Sequence, residues 1–399
     1  MISTDAIWQP GHRFALFELG FRPFFLFAAL YSIFITAVWF AVYILHLKPP
    51  LSGTPVLAWH AHEMIFGYGA AVVAGFLLTA TQNWTGLKTL HSWPLALLLV
   101  SWLIPRITPF AWPSITPVFL GTVDIAFITG LIGATGWVIL KSGSKKQLII
   151  VSLLALLLLS NAAYYLGQAG ILPGGMRAGN YSGLYVLLGL IFILARRVFP
   201  FFTEKGVGYP IQLTNHAWVD KISLAAFALF WIAEVTQAGD LPRAVLSGVL
   251  FLLHAIRLWG WHTHGIWAKP LLWALYLGYA FITAGFLLNL LSITSGISPH
   301  LGIHAFAYGG IGLMTLGMMS RVSLGHTGRN IHEPPKVLIV VFGTLVAGTL
   351  VRVLAPLIDP ASYPLWIGLS QVLWVIAFSL FVVLFANLLT RPRVDGKPG

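Results

Sequence analysis

The chain has 399 residues, 58% hydrophobic and only 9% charged, with a net charge of +12 and a mean hydropathy of +0.86. A soluble fold of this size needs far more charge on its surface, and the absence of cysteine excludes disulfides and thiolate metal sites. Runs of about 20 apolar residues mark bilayer helices. Twelve are predicted, at 22–46, 56–80, 93–105, 114–140, 147–168, 179–199, 217–238, 242–260, 270–292, 300–321, 337–357 and 363–389. The third is short and flanked by Pro94, Pro105 and Pro109. The segment Met1 to Gly20 is polar and amphipathic and lacks the basic-then-apolar order of a cleavable signal. The expectation is an all-α integral membrane protein, one polytopic domain over 1–399 with short loops, its partner the lipid bilayer.

The positive charge does not point to nucleic acid, because its placement accounts for it. With the N-terminus inside, cytoplasmic segments hold 16 Lys and Arg, from Arg13 to Lys397, against four in outer loops, Lys48, Arg106, Arg177 and Arg243. That is a positive-inside bias with both termini cytoplasmic. Lys221, Arg257 and Arg352 are left inside predicted spans.

The second span opens with Trp59-His60-Ala61-His62-Glu63, and the tenth opens with His300 and His304, one turn apart. In the predicted orientation both groups lie at the outer surface, with His254 near the middle of the eighth span. His216, His262, His264, His326 and His332 form a second layer at the inner surface. Ionisable groups at membrane depth need a partner or a job, and imidazole is the commonest ligand for metals and haem iron. A single histidine at a helix end is ordinarily an interfacial hydrogen-bonder, and His12, His46, His91 and His332 are read so. His60, His62, His254 and His304 are the candidate metal ligands. Two positions apart is about 200° around a helix, so His60 and His62 cannot face one ligand. Glu63 is a candidate proton donor or ligand orienter; its structural alternative is a first-turn carboxylate stabilised by the helix dipole.

Phe66-Gly67-Tyr68-Gly69-Ala70 in the second span matches Phe306-Ala307-Tyr308-Gly309-Gly310 in the tenth, with His60 on His300. The sixth carries a fainter copy, Asn180-Tyr181-Ser182-Gly183. Three pseudo-repeats of four helices, about 1–140, 141–265 and 266–399, would produce this; the simpler source is the frequency of glycine and aromatics in packed membrane helices. Such a bundle resembles the catalytic subunit of haem–copper oxidases in fold alone. The His-Pro-Glu-Val-Tyr segment and His-His pair of those enzymes are absent, so oxygen reduction is not expected.

Basic and aromatic residues gather at the predicted inner face: Arg22, Trp84, Arg257, Arg321, His326 and Arg329. They are ordinary interfacial anchors or a site for an anion such as haem propionates, which arginine pairs bidentately.

Several strings together resemble the NnrS family of bacterial inner-membrane proteins: Arg22-Pro23-Phe24-Phe25, Trp59-His60-Ala61-His62-Glu63-Met64, Ala74-Gly75-Phe76-Leu77-Leu78-Thr79-Ala80, Asn83-Trp84-Thr85-Gly86, His254 with Arg257 and Trp259, His304-Ala305, and Met319-Ser320-Arg321 through Ser323-Leu324-Gly325-His326-Thr327-Gly328-Arg329. The resemblance runs from the first span to the end of the tenth. It implies a multi-pass inner-membrane protein containing haem, of b type, and copper. It implies a connection with nitric oxide, denitrification and resistance to nitrosative stress. His60, His62, His254 and His304 match the family's histidines. The expected function is binding or reduction of nitric oxide at a histidine-ligated metal, with a quinol or periplasmic electron donor, since the chain has neither a soluble electron-accepting domain nor a haem-attachment cysteine motif. The alternatives are a transporter or exporter of a metal, haem or small solute, and a haem-binding sensor or maturation factor without turnover.

Overall fold

A computed structural model describes residues 14–49 and 53–397. His12 and Arg13, and most of the amphipathic start, lie outside the described residues. Among those described the chain is helical throughout, with no strand. The long helices are α1 (Phe21–Tyr43), α2 (Val56–Thr85), α3 (Ser92–Ala111), α4 (Pro117–Lys141), α5 (Leu148–Gln168), α6 (Gly175–Gly206), α7 (Ala217–Val235), α8 (Asp240–Trp261), α9 (Pro270–Ser295), α10 (Pro299–His326), α11 (Leu338–Ile358) and α12 (Tyr363–Thr390). Eleven are long and apolar enough to cross a membrane. The other, α7, has 19 residues but carries Asp220, Lys221 and Glu234. The chain is a multi-pass, all-α membrane protein.

Helix α3 runs past the expected boundary at 105, with Pro105 and Pro109 inside it. Proline is tolerated in a membrane helix where neighbours satisfy the freed backbone groups. The extension moves Arg106 from the expected outer loop into the protein, where it is only 1% exposed. Arg177 and Arg243 likewise lie within α6 and α8 rather than in loops.

Three helices meet at the centre: α2, α6 and α10 each touch the other two. In α2, 83% of the apolar window is buried within the protein, and in α10, 72%. The two matching sequence strings share one conformational peculiarity. Glu63–Gly69 in α2 and Ala305–Gly312 in α10 are both π-helical, whereas the fainter copy in α6 is regular α-helix. A π segment widens the helix and frees carbonyls, and such segments recur at functional sites. Here α3 takes up the freed groups: Trp102 Nε1 donates to the Gly67 carbonyl at 3.0 Å and Arg106 to that of Phe66 at 3.1 Å. Gly67 is required for this approach, since a Cβ there would lie 2.6 Å from the Tyr31 ring. In α10, Thr315 caps the carbonyls of Ile311 and Gly312, and its hydroxyl meets that of Tyr68 at 2.6 Å, tying α10 to α2. One apolar core extends from Leu16 to Leu389, with α1 and α12 packed together so that the chain's two ends meet.

Candidate functional site

The centre of the bundle opens into a cavity of about 510 Å³ at the end where α2 and α10 begin. Its walls come from α1, α2, α6, α10, α11 and α12. His60 and Met64, one turn apart on α2, lie on one side, and His300 and His304 on another. His60 of the first group therefore shares one chamber with His300 and His304 of the second. The His60 ring stacks on Trp39 with centroids 4.2 Å apart. Its Nδ1 is buried without a hydrogen-bond partner. His304 is more committed: Nδ1 donates to the His300 carbonyl at 2.7 Å, and Nε2 accepts from Arg352 at 2.9 Å. Among the described residues two arginines and three histidines line the cavity, and no Asp or Glu does. Several lining residues carry buried polar atoms without a partner: Arg352 NH1, Asn180 Oδ1 and both ends of the Gln371 amide. Unpaired buried polar groups are costly, so this chamber is built for a polar occupant.

A second, apolar cavity of about 100 Å³ lies along α2, α6 and α10, among Val72, Phe76, Leu190 and Met318. Leu187 and Ile311 belong to both walls, so the two spaces adjoin.

His62 points the opposite way, as its two-residue offset from His60 requires. It lies in a buried cluster among α1 to α5. Its Nδ1 is 3.1 Å from Glu63 Oε1 and its Nε2 is 2.9 Å from Asn161 Oδ1. Both ring nitrogens are thus engaged by side-chain oxygens, and neither is free to face the cavity. Tyr31 donates to Glu63, while Arg106 NH2 meets Asp124 Oδ1 at 2.6 Å and Arg106 Nε lies 3.6 Å from Glu63. Asn161 and Tyr165 both donate to Asp124 Oδ2. The Arg106 guanidinium lies against both carboxylates. Glu63 is thus a member of a buried ion cluster rather than a group facing the cavity.

His254 stands apart from both groups. It is fully buried between α6, α8 and α9, stacked on Phe192 and Phe286 at 4.4 and 5.4 Å. Its Nδ1 meets the Tyr279 hydroxyl at 2.7 Å, and Nε2 has no partner. Helices α2 and α10 share the chamber, but α8 does not bring His254 to it. Among the described residues no three His, Asp or Glu side chains converge in a geometry that holds a metal ion.

The basic residues expected to form one inner-face site are dispersed. Arg257 is buried beside Asp220 (2.6 Å), Ser223 and Tyr279. Arg321 lies 3.6 Å over the Phe202 ring. Trp84 packs against the core. Arg22, His326 and Arg329 do gather, near Arg393. His326 Nε2 is 3.4 Å from the Asn83 amide, and Arg329 bonds the Thr327 carbonyl. Arg22 serves the fold, because its NH1 donates to the carbonyls of Leu388, Leu389 and Arg391 and so closes the free end of α12. Arg22→Gln is expected to lower stability by about 1–3 kcal/mol, read as thermal melting in detergent, with the cavity unchanged.

Sequence reasoning missed Asp124, Asn161, Gln371 and the role of Arg352. Asp124 is the one acid of the predicted fourth span, and Arg352 was one of three cations inside spans; both carried the signal of an intramembrane charge.

Fold and site together define a polytopic membrane protein with a histidine- and arginine-lined chamber at the meeting of three central helices. The chain belongs to the NnrS family, whose model matches residues 15–393, nearly its whole length. No curated protein matches it.

Proposed function

We propose that this protein seats a haem in the α2–α6–α10 chamber, with His60 as axial ligand, and binds nitric oxide there as part of a cell's response to that gas. The observation that carries the reading is the His60 imidazole, which lines a cavity of about 510 Å³, is held by stacking on Trp39 and makes no hydrogen bond among the described residues; the cavity is within the size range of cofactor pockets. When bound, a haem with an open axial position supplies an iron that takes up nitric oxide. Trp39 fixes the plane of the His60 ring. The adjoining apolar cavity suits an uncharged diatomic gas. Among the described residues no acid lines the chamber, so its own side chains offer arginine hydrogens to an occupant and no carboxylate for proton transfer.

Copper fits less well. Met64, His300 and His304 are acceptable copper donors in type, but His304 has both nitrogens engaged. A copper ion at His304 requires Arg352 to withdraw. Twelve spans in three repeated units would account for the shared π segments of α2 and α10 and the central place of α6. Location in the bacterial inner membrane is the family reading, and both termini cytoplasmic is supported by charge: 16 Lys and Arg fall on the predicted inner side against four on the outer, one of which, Arg106, is buried in α3.

The test is purification under anaerobic conditions after expression with ample iron and copper, followed by optical spectra and metal analysis before and after nitric oxide. A haem absorption band that shifts on adding the gas is expected. A colourless protein would overturn the reading.

A further inference from the structure

The charge of the chamber has no counter-ion among the described residues. Arg106 pairs with Asp124, Arg243 with Glu234 and Arg257 with Asp220. Arg352, only 8% exposed on α11, has no carboxylate partner among those residues. Its NH2 donates to a neutral imidazole nitrogen, and its NH1 has no acceptor. Tyr363 lies against the guanidinium, but a buried guanidinium without an anion is costly. Gln371 on α12 lines the same chamber, is 6% exposed, and its Nε2 has no acceptor. Arg177 on α6 also lines the space, its NH1 and NH2 donating to backbone carbonyls at the end of α7.

We propose that Arg352 and Gln371 form an anion subsite in this chamber, for a planar two-oxygen anion of the carboxylate or nitrite class. Such an anion accepts two parallel N–H bonds from a guanidinium, the geometry in which arginine is most selective. It would take the free NH1 hydrogens and the unpaired Gln371 amide hydrogens together, and its charge would neutralise Arg352. The subsite uses the same chamber as the haem reading but does not depend on haem. Two sources offer this chemistry: a carboxylate carried on a bound cofactor, or a free small anion such as nitrite.

The experiment separates them. Sodium nitrite and sodium formate are titrated calorimetrically into the purified protein, native and as Arg352→Gln and Gln371→Leu. In parallel, uptake of iron protoporphyrin IX is compared with uptake of its dimethyl ester. Saturable nitrite and formate binding, weakened about tenfold or more in both variants, establishes a free-anion site. No small-anion binding, but a preference for the free acid over the ester that both variants lose, establishes a cofactor-carboxylate site. If neither small-anion binding nor ester preference changes in the variants, the proposal is overturned. Should Arg352→Gln not fold, Gln371→Leu carries the same readouts with the charge intact. Anion binding at Arg352 in a protein that takes up no haem would remove the haem reading and leave the subsite standing. Haem bound through His60 without ester preference or anion binding would do the reverse.

Discussion

Replacing His60 by alanine is expected to abolish the haem band, while His304→Ala reduces it modestly and His254→Ala leaves it in place. The ranking follows from what each imidazole is already doing. His60 makes no hydrogen bond among the described residues, and its ring is clamped against Trp39. Removing a mere outer-shell partner of a metal ligand costs about 10–100-fold in affinity, so losing the ligand itself is expected to cost more than about 100-fold. His304 Nε2 faces Arg352 and its Nδ1 faces a carbonyl. Its loss frees Arg352 and enlarges the chamber, for which about tenfold weaker haem retention is a reasonable scale.

His254 is a different case. Its ring fills the space between Phe192 and Phe286, and it holds Tyr279 in register with Arg257. His254→Ala leaves a cavity and a loosened polar contact, a loss of about 2–4 kcal/mol of stability by the scale of large-to-small core changes. Haem per folded molecule stays the same. The measurement is the pyridine haemochrome content of each variant, normalised to protein that elutes as a single species in detergent. Retention of the full band in His60→Ala together with its loss in His254→Ala would move the metal centre to α8.

The sequence carried the class of fold well, because a bilayer writes itself into a chain as long apolar runs whose ends need only turn. It also carried the central pair of helices. The repeated Phe-x-Tyr-Gly string falls on α2 and α10, and both copies turn out to be π-helical. Periodicity could not have shown this, since the widening depends on Trp102 and Arg106 arriving from α3 to take the freed carbonyls. The candidate site was legible in part. That His60 and His62 diverge follows from helix geometry alone. That His254 lies elsewhere does not, because nothing in a span's own pattern says which neighbour it faces. The basic residues misled for a related reason: Arg106 reads as a loop anchor beside two prolines, and only the path of α3 through them reveals a buried charge. Arg22 reads as an anion binder, and only the return of α12 to its side shows which carbonyls it closes.

Asp124→Ala is expected to be the most destabilising single change in the protein. Asp124 is wholly buried and accepts from Arg106, Asn161 and Tyr165 at once. Its removal leaves the Arg106 guanidinium with Glu63 at 3.6 Å as its remaining carboxylate, and leaves His62 opposite one acid instead of two. Breaking a buried ion pair from one side costs about 3–5 kcal/mol, mostly the uncompensated charge rather than the lost attraction. The expected result is a sharply lowered melting temperature in detergent and a reduced membrane yield. The double variant Arg106→Leu with Asp124→Leu is expected to recover part of that loss, since neither charge of the pair is left without the other, while Asn161, Tyr165 and the Phe66 carbonyl lose their partners. A single variant as stable as the parent would mean the cluster contributes nothing to folding. A double variant as unstable as the single would mean that the Arg106 bond to the Phe66 carbonyl, and with it the π segment of α2, is what the charges serve. In either event the haem content of the folded fraction is expected to hold, because His62 and His60 leave α2 on opposite sides and none of the ion-cluster residues lines the chamber.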